Sequence, residues 1–302
     1  MAVHIFCALS CEAKPIIDNF NLIRLNEFDL FKIYQSIDKE TSLIITNIGK
    51  VKAIEAVTYH HDNIKTSEYD IWLNIGIAGH ENISIGEIRI INKIVDHEDQ
   101  SCWYPQIIFN PPCNCIDLIT LGKPSTEYQS CLYDMEASGF YFAATKYGTL
   151  ELIHSLKIIS DNNKAPISKI NKNDVSNLVK NKISTINKIL NELRLLSSEI
   201  KSTNKQPRDY ENFLKKWHFS QTEKYQLLNL LQKHDVRFPE NNFSEISETL
   251  KTGKQVLKKL RDKLNKIMSS NTGKTVKIIV KDTNRDNFMS AEDALKYGII
   301  DQ

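Results

Sequence analysis

Four polar segments, far apart in the chain, carry the residue types needed to break a bond between a base and a sugar. The first is Glu12, which follows a short apolar run. The others are Asn74–His80, at the end of a later apolar run, Asp134–Ala137, at the start of a predicted helix, and Ser160–Asn162, at the end of the last apolar run. Cleaving an N-glycosidic bond requires a nucleophile at the anomeric carbon, a fixed sugar and a proton for the departing base. One carboxylate can orient water, a second can accept the sugar hydroxyls, and a third, protonated by burial, can protonate the base.

Predicted strands and helices alternate around these segments. Short apolar runs predict strands, and apolar residues at three- and four-residue steps predict helices. The predicted strands are 3–9, 31–37, 42–48, 71–76, 86–95, 116–121 and 152–160, and the helices between them begin near 13, 51 and 136. This order predicts an α/β fold with a mixed, largely parallel sheet flanked by helices. In such sheets the ligand lies at the carboxyl ends of the strands.

The second part of the chain is predicted to be an all-helical C-terminal extension. The predicted helices span 173–201, 209–217, 220–234, 252–269 and 290–297. Pro207 and Pro239 mark breaks between them. We therefore expect three regions: an enzyme-like domain over 1–201, a helical linker region over 202–250, and a distinct C-terminal fragment over 251–302.

Charge is distributed unevenly between the two halves. Residues 1–161 carry 12 Lys and Arg against 21 Asp and Glu, whereas residues 162–302 carry 27 against 16. The lysines of the basic half are spread along predicted helices, so a solvated helix face is expected rather than a nucleic-acid surface.

All six cysteines lie in the acidic half, and their spacing matches no zinc-binding pattern. No secretory signal and no apolar span of about 18 residues is found, so we expect a cytoplasmic protein with free thiols, no membrane contact, and no metal or other cofactor.

The acidic half resembles the purine nucleoside phosphorylase family, and within it the 5′-methylthioadenosine/S-adenosylhomocysteine nucleosidases. The resemblance covers about residues 3–161 and could extend to 200. The matching segments are Ala8–Glu12, Ile48–Val51, Asn74–Gly79, Asp134–Ala137 and Ile159–Asp161. The resemblance implies a purine nucleoside as substrate and a homo-oligomer as the assembly.

By the same resemblance, the catalytic residues are Glu12 and Asp161. Glu12 would position the nucleophilic water, and Asp161, steadied by Ser160, would protonate the base. On local grounds alone, Glu12 is equally a helix-start acid that favours the helix dipole, and Asp161 is equally a turn residue.

The resemblance also implies the substrate-binding residues. Met135 and Glu136 would hold the ribose, while Ala78 and Gly79 would line the floor under the sugar. Hydrolysis is favoured over phosphorolysis because the acidic half has few cations to clamp phosphate, and Lys50 is expected to be a solvated helix residue.

Three departures from the family pattern keep a catalytically silent nucleoside-binding protein open as an alternative. Ile77 stands where the family usually has a serine, and His80 replaces its second glycine. The segment between Asp96 and Asp134 is also shorter than the family's. That region supplies base-stacking aromatics, which Tyr104, Phe109 or Tyr128 would have to replace.

A second resemblance covers about residues 252–302, which look like the C-terminal part of the Clp protease proteolytic subunit. It rests on Asn271–Lys274, Lys281–Glu292 and Tyr297–Asp301. The acid of that family's Ser-His-Asp triad would fall on Asp286, but no segment resembles its serine or histidine regions. The alternatives are a fused remnant or an interaction tail for a Clp-type partner.

Overall fold

The computed structural model describes residues 1–125, 130–166, 169–203, 207, 209–237, 250–283 and 289–300. The chain divides into two compact units, Met1–Thr203 and Asn204–Gln302. The first is an α/β unit, and the described part of the second is helical. This architecture confirms the predicted fold class.

Ten strands form one sheet within the described part of the first unit. They are β1 (Val3–Cys7), β2 (Ile23–Leu25), β3 (Lys32–Gln35), β4 (Thr41–Ile45), β5 (Ile71–Gly79), β6 (Ile88–Asp96), β7 (Cys102–Trp103), β8 (Cys115–Thr120), β9 (Leu132–Asp134) and β10 (Ile153–Asp161). The helices of this unit are α1 (Ser10–Phe20), α2 (Lys50–Asn63), α3 (Ala137–Ala144), α4 (Lys172–Lys180) and α5 (Ile183–Thr203).

Five of the strands close into a ring. β5 pairs with β10, β10 with β6, β6 with β8, β8 with β9, and β9 returns to β5. The remaining strands extend from β5 through β1 and β4 to β3 and β2, with β1 parallel to both β4 and β5. β7 pairs with β6 outside this path. The sheet is therefore mixed, as predicted.

Apolar side chains fill both sides of the central strands. One cluster joins the sheet to α1, α4 and α5, through residues such as Ile16 and Leu190. The other joins it to α2 and α3, through residues such as Val57 and Phe140. Burial on both faces explains why the central strands read as continuous apolar runs rather than alternating ones.

Two boundaries differ from the sequence prediction. The strand predicted to end at Gly76 continues to Gly79, so the polar loop expected there is part of β5. The helix predicted over 173–201 is divided into α4 and α5. Val179 and Ile186 lie seven residues apart and are both buried, so the helical periodicity continues across the division and conceals it.

The second unit contains α6 (Tyr210–Lys216), α7 (Gln221–Arg237), α8 (Gly253–Thr272), α9 (Val276–Thr283) and α10 (Ala291–Tyr297). An apolar cluster joins α6, α7 and α8, with Trp217, Leu231 and Leu260 among its members. The helix α9 was not predicted, and the break expected at Pro239 lies outside the described residues. The separation of 202–250 from 251–302 stays a prediction.

Among the described residues, no helix is both long and apolar enough to span a membrane.

Candidate functional site

A single cleft at the carboxyl ends of β1, β5, β9 and β10 contains every residue predicted for the site. The empty space inside it, part of it open to solvent, amounts to about 710 Å³. The predicted residues that line it are Glu12, Ala78, Gly79, Met135, Glu136, Ser160 and Asp161. The catalytic and binding roles assigned to them stay predictions.

Strand register brings together residues that are distant in sequence. Asp161 on β10 pairs with Gly79 on β5, and Gly79 pairs in turn with Tyr133 on β9. The acids Asp161 and Asp134 therefore reach the same edge of the ring from opposite sides of β5. Glu12 reaches this edge from α1. This helix follows β1, which pairs with the first part of β5.

The Glu12 carboxylate is held by two main-chain amides. It lies in the first turn of α1, where Oε2 accepts a hydrogen bond from the Leu9 N–H at 2.8 Å, the acidic half of a capping box. Oε1 accepts from the Ile77 N–H at 2.9 Å. Glu12 is 2% exposed, and this burial raises the pKa of its carboxyl above the ordinary value. A general base needs such a fixed and more basic carboxylate.

Lys157 lies beneath the cleft, and sequence reasoning missed it. Its Nζ lies 2.8 Å from Oδ2 of Asp134, and both side chains are buried. Burial opposes the lysine charge, but Asp134 and Glu136 outweigh burial and hold the pKa of Lys157 above its ordinary value. The available signal was a single lysine inside the apolar run of β10, because a buried charge requires a partner.

Asp134 also fixes the start of α3. Its Oδ2 accepts the Ala137 N–H at 2.8 Å, and its Oδ1 accepts from the Thr120 hydroxyl at 2.7 Å. Carboxylates are favoured at helix N-termini because unpaired amides gather there. The ion pair with Lys157 and this cap together set the direction in which the following residues enter the cleft.

Glu136 directly precedes α3 and uses only part of its hydrogen-bonding capacity within the protein. Oε1 accepts a hydrogen bond from the Gly49 N–H at 2.9 Å, and Oε2 accepts none from the described residues. Burial and the neighbouring Asp134 raise the pKa of Glu136 to about 7, while Lys157 and the Gly49 amide act in the opposite direction. The carboxyl therefore changes charge near neutral pH.

Asp161 and Ser160 end β10 inside the cleft. The Ser160 hydroxyl donates to Oδ1 of Asp161, and Asp161 is 2% exposed. The Asp161 carbonyl accepts the His80 N–H at 3.1 Å. The His80 ring nitrogen Nδ1 accepts the main-chain N–H groups of Asn82 and Ile83, so His80 shapes the turn after β5.

Two expectations for neighbouring residues were wrong. Lys50 is not a solvated residue, because its Nζ pairs with Asp96 at 3.0 Å and with Glu98 at 2.6 Å. Tyr104 and Phe109 do not supply aromatic surface to the cleft: Tyr104 is exposed and Phe109 packs edge-on against His154. Tyr128 lies outside the described residues. Among the described residues, the aromatic side chain that lines the cleft is that of Tyr133, with Leu121 and Lys123–Ser125 beside it.

Comparison with solved structures places the first unit in the fold of methylthioadenosine nucleosidases. The Campylobacter jejuni 5′-methylthioadenosine/S-adenosylhomocysteine nucleosidase matches with a TM-score of 0.52 and 14% identity, over 63% of this chain and 98% of that one. The Streptococcus pneumoniae enzyme, solved with a transition-state inhibitor, gives 0.51 and 16% over 64% and 100%. The apo Arabidopsis thaliana methylthioadenosine nucleosidase gives 0.53 and 16% over 64% and 95%. The first resemblance is thereby confirmed at the level of fold.

The second resemblance is confirmed by a family model. The model of the Clp protease family matches residues 236–302. This stretch contains no histidine, so it cannot by itself contain a Ser-His-Asp triad. Asp286, the acid that the resemblance singles out, lies outside the described residues.

Proposed function

We propose that the first unit is a nucleosidase-like hydrolase that cleaves the N-glycosidic bond of a purine nucleoside of the methylthioadenosine type. The observation that carries this proposal is the convergence of Glu12, Glu136 and Asp161 on one cleft. The three acids come from separate elements, and each has a different set of partners. The shared fold with solved methylthioadenosine nucleosidases supports the same assignment.

Glu12 is proposed to orient and deprotonate the attacking water. The Leu9 and Ile77 amides fix both of its oxygens, so the carboxylate cannot rotate away from the cleft. A Cβ on Gly76 would lie 3.1 Å from Oε1, which is tighter than ordinary contact, so the glycine leaves room for this orientation. A raised pKa makes Glu12 a stronger base than a solvated glutamate.

Glu136 is proposed to accept the hydroxyls of the sugar through the oxygen that the Gly49 amide leaves unused. Met135 lines the cleft beside it and would provide an apolar contact to the sugar. Glu136 accepts hydroxyl protons best when it is ionised. With a pKa of about 7, its affinity for a riboside is expected to increase from pH 6 to pH 8.

Asp161 is proposed to protonate the leaving base, with Ser160 holding the carboxyl in place. Departure of the base leaves positive charge on the sugar, as in other glycoside hydrolyses. Four carboxyl groups line the cleft, those of Glu12, Asp134, Glu136 and Asp161, and Lys157 beneath it pairs with Asp134. Such an excess of acids stabilises a cationic transition state relative to a neutral substrate.

Water is the proposed nucleophile rather than phosphate. Binding of phosphate requires cations or amides that are free to clamp it. Within the described lining of the cleft, Lys123 is the cation and no arginine is present. Lys157 is committed to Asp134, and the carboxylates nearby repel an anion.

The test is release of adenine from 5′-methylthioadenosine by the purified full chain without phosphate. We expect Glu12→Gln and Asp161→Asn each to lower kcat by about 10²- to 10⁴-fold, the usual contribution of acid–base groups. Asp117→Asn, on the outer part of β8 where Asp117 bonds Asn92, is the matched control and should retain parental rates. Parental turnover in both cleft variants, with folding verified by circular dichroism, refutes the assignment.

Two further measurements separate the alternative functions. Calorimetric binding of the nucleoside without release of base supports a catalytically silent binding protein, the alternative suggested by Ile77 and His80. Co-purification with a Clp-type subunit that depends on residues 252–302 supports a Clp-related role for the tail. Peptide hydrolysis is not proposed.

A further inference from the structure

An ion-pair cluster whose members do not line the cleft lies close in sequence to both partners of the Gly49–Glu136 hydrogen bond. Both carboxylate oxygens of Asp96, at the end of β6, lie 3.0 Å from the Lys50 Nζ. The Ser138 hydroxyl donates to Oδ2 of Asp96 at 2.8 Å. Asp96 is 3% exposed. We call Lys50, Asp96 and Ser138 the brace.

The brace connects the chain segments that carry the two residues of the Gly49–Glu136 hydrogen bond. Lys50 follows Gly49, the donor, and Ser138 lies two residues after Glu136, the acceptor. Asp96 binds both, so it fixes the distance between the start of α2 and the start of α3. Gly139 adds to this restraint, because a Cβ there would lie 2.1 Å from the Lys50 carbonyl oxygen.

Besides its bond to Glu136, Gly49 is held by the first turn of α2, where its carbonyl accepts the Ala53 N–H at 3.0 Å. Its φ is +106°, which glycine adopts readily and other residues rarely do. A Cβ at this position would meet no atom within 4 Å, so packing does not determine the direction of the Gly49 N–H. The direction depends on α2, whose first residue is Lys50.

We propose that Lys50, Asp96 and Ser138 are positioning residues for sugar recognition. They hold the Gly49 amide on Oε1 of Glu136, which presents Oε2 of that carboxylate to the hydroxyls of the substrate. This inference rests on the proposed function for its sugar. The hydrogen bond between Gly49 and Glu136, however, can be followed without any ligand.

The decisive variant is Lys50→Met, which removes the cation and keeps most of the apolar stem. Lys52→Met is the matched control, since Lys52 lies on the same helix in an exposed ion pair with Glu55. Lys50→Arg, which keeps the charge and can bind both oxygens of Asp96, is the rescue variant. All three are made in the full chain.

The first measurement is kinetic. For 5′-methylthioadenosine, Lys50→Met is expected to raise KM about tenfold and to change kcat less than about threefold, because sugar binding rather than acid–base chemistry is affected. The inhibition constant of 2′,3′-dideoxyadenosine, which has no sugar hydroxyls on those carbons, should stay within about twofold. Lys50→Arg should recover most of the loss. Equal weakening of both ligands overturns the inference, because a general structural defect would affect them alike.

The second measurement is amide hydrogen exchange without ligand. In Lys50→Met, exchange at Gly49 should accelerate by at least about tenfold while β5 amides keep parental rates, as expected for local opening. Unchanged exchange at Gly49 overturns the role of the brace even if the enzyme is active. If the parent protein binds no nucleoside, the sugar role fails together with the proposed function, and accelerated exchange then shows that the brace still holds Glu136.

Discussion

Replacing Glu136 with glutamine should stabilise the protein at alkaline pH while weakening its site. The pKa of Glu136 is about 7 in the folded chain against an ordinary value of 4.5. Above pH 7 the fold must therefore hold a carboxylate that the unfolded chain ionises more easily. A difference of about 2.5 pKa units corresponds to about 3 kcal/mol lost from the free energy of unfolding. Glutamine carries no charge at any pH, and its amide oxygen can still accept the Gly49 N–H.

The pH dependence separates this effect from other consequences of the substitution. The gain in Glu136→Gln should be close to zero below pH 4.5, grow between pH 4.5 and 7, and reach about 3 kcal/mol by pH 8. The assay is amide exchange of the buried strand Ile71–Gly79, measured from pH 5 to 8 in the parent and the variant. Glu55→Gln, on α2, is the control. A difference between parent and variant that does not change with pH refutes the reasoning.

Two further predictions concern buried titratable groups of the first unit. Lys157→Met should lower the free energy of unfolding by about 3–5 kcal/mol, because Asp134 remains buried without its cation, and changing Asp134 to leucine as well should recover much of the loss in urea unfolding. Burial lowers the pKa of His154 to about 4, so its contribution to stability is complete above pH 6.5 and disappears as pH falls toward 4. At pH 5 the loss is about 2 kcal/mol. His154→Leu should flatten the acid side of the stability curve, and an unchanged slope contradicts the assignment.

Periodicity and turn chemistry were sufficient to predict most elements of the first unit. Apolar runs such as those around Ile5 and Ile158 are buried on both faces, and polar residues follow where each strand ends. Short elements were missed because three residues such as Leu132–Asp134 contain no detectable period. β9 exists because it pairs with β5 on one side and β8 on the other, which is a property of the assembled sheet.

The cleft could be predicted in outline because its acids follow strand ends. Its electrostatic support could not be predicted, because ion pairs depend on which strands become neighbours. Lys157 and Asp134 are 23 positions apart, and Lys50 and Asp96 are 46 positions apart. Local sequence around Lys50 is typical of an exposed helix start, and only the folded sheet brings the end of β6, with Asp96, beside it.

Two of the departures that favour a silent binding protein, Ile77 and His80, leave the support of the three acids intact. Ile77 contacts Glu12 through its main-chain N–H, which a serine at this position would also provide. The His80 ring accepts hydrogen bonds from two main-chain amides of the turn after β5. It therefore fixes a turn that a glycine at this position would leave more flexible. Neither change removes a group that holds Glu12, Glu136 or Asp161. The difference between an active and a silent protein therefore rests on the Leu121–Ser125 side of the cleft. There Lys123, Pro124 and Ser125 line the cleft within the segment that was expected to supply base-stacking aromatics. If a base binds against them productively, the parent protein releases adenine.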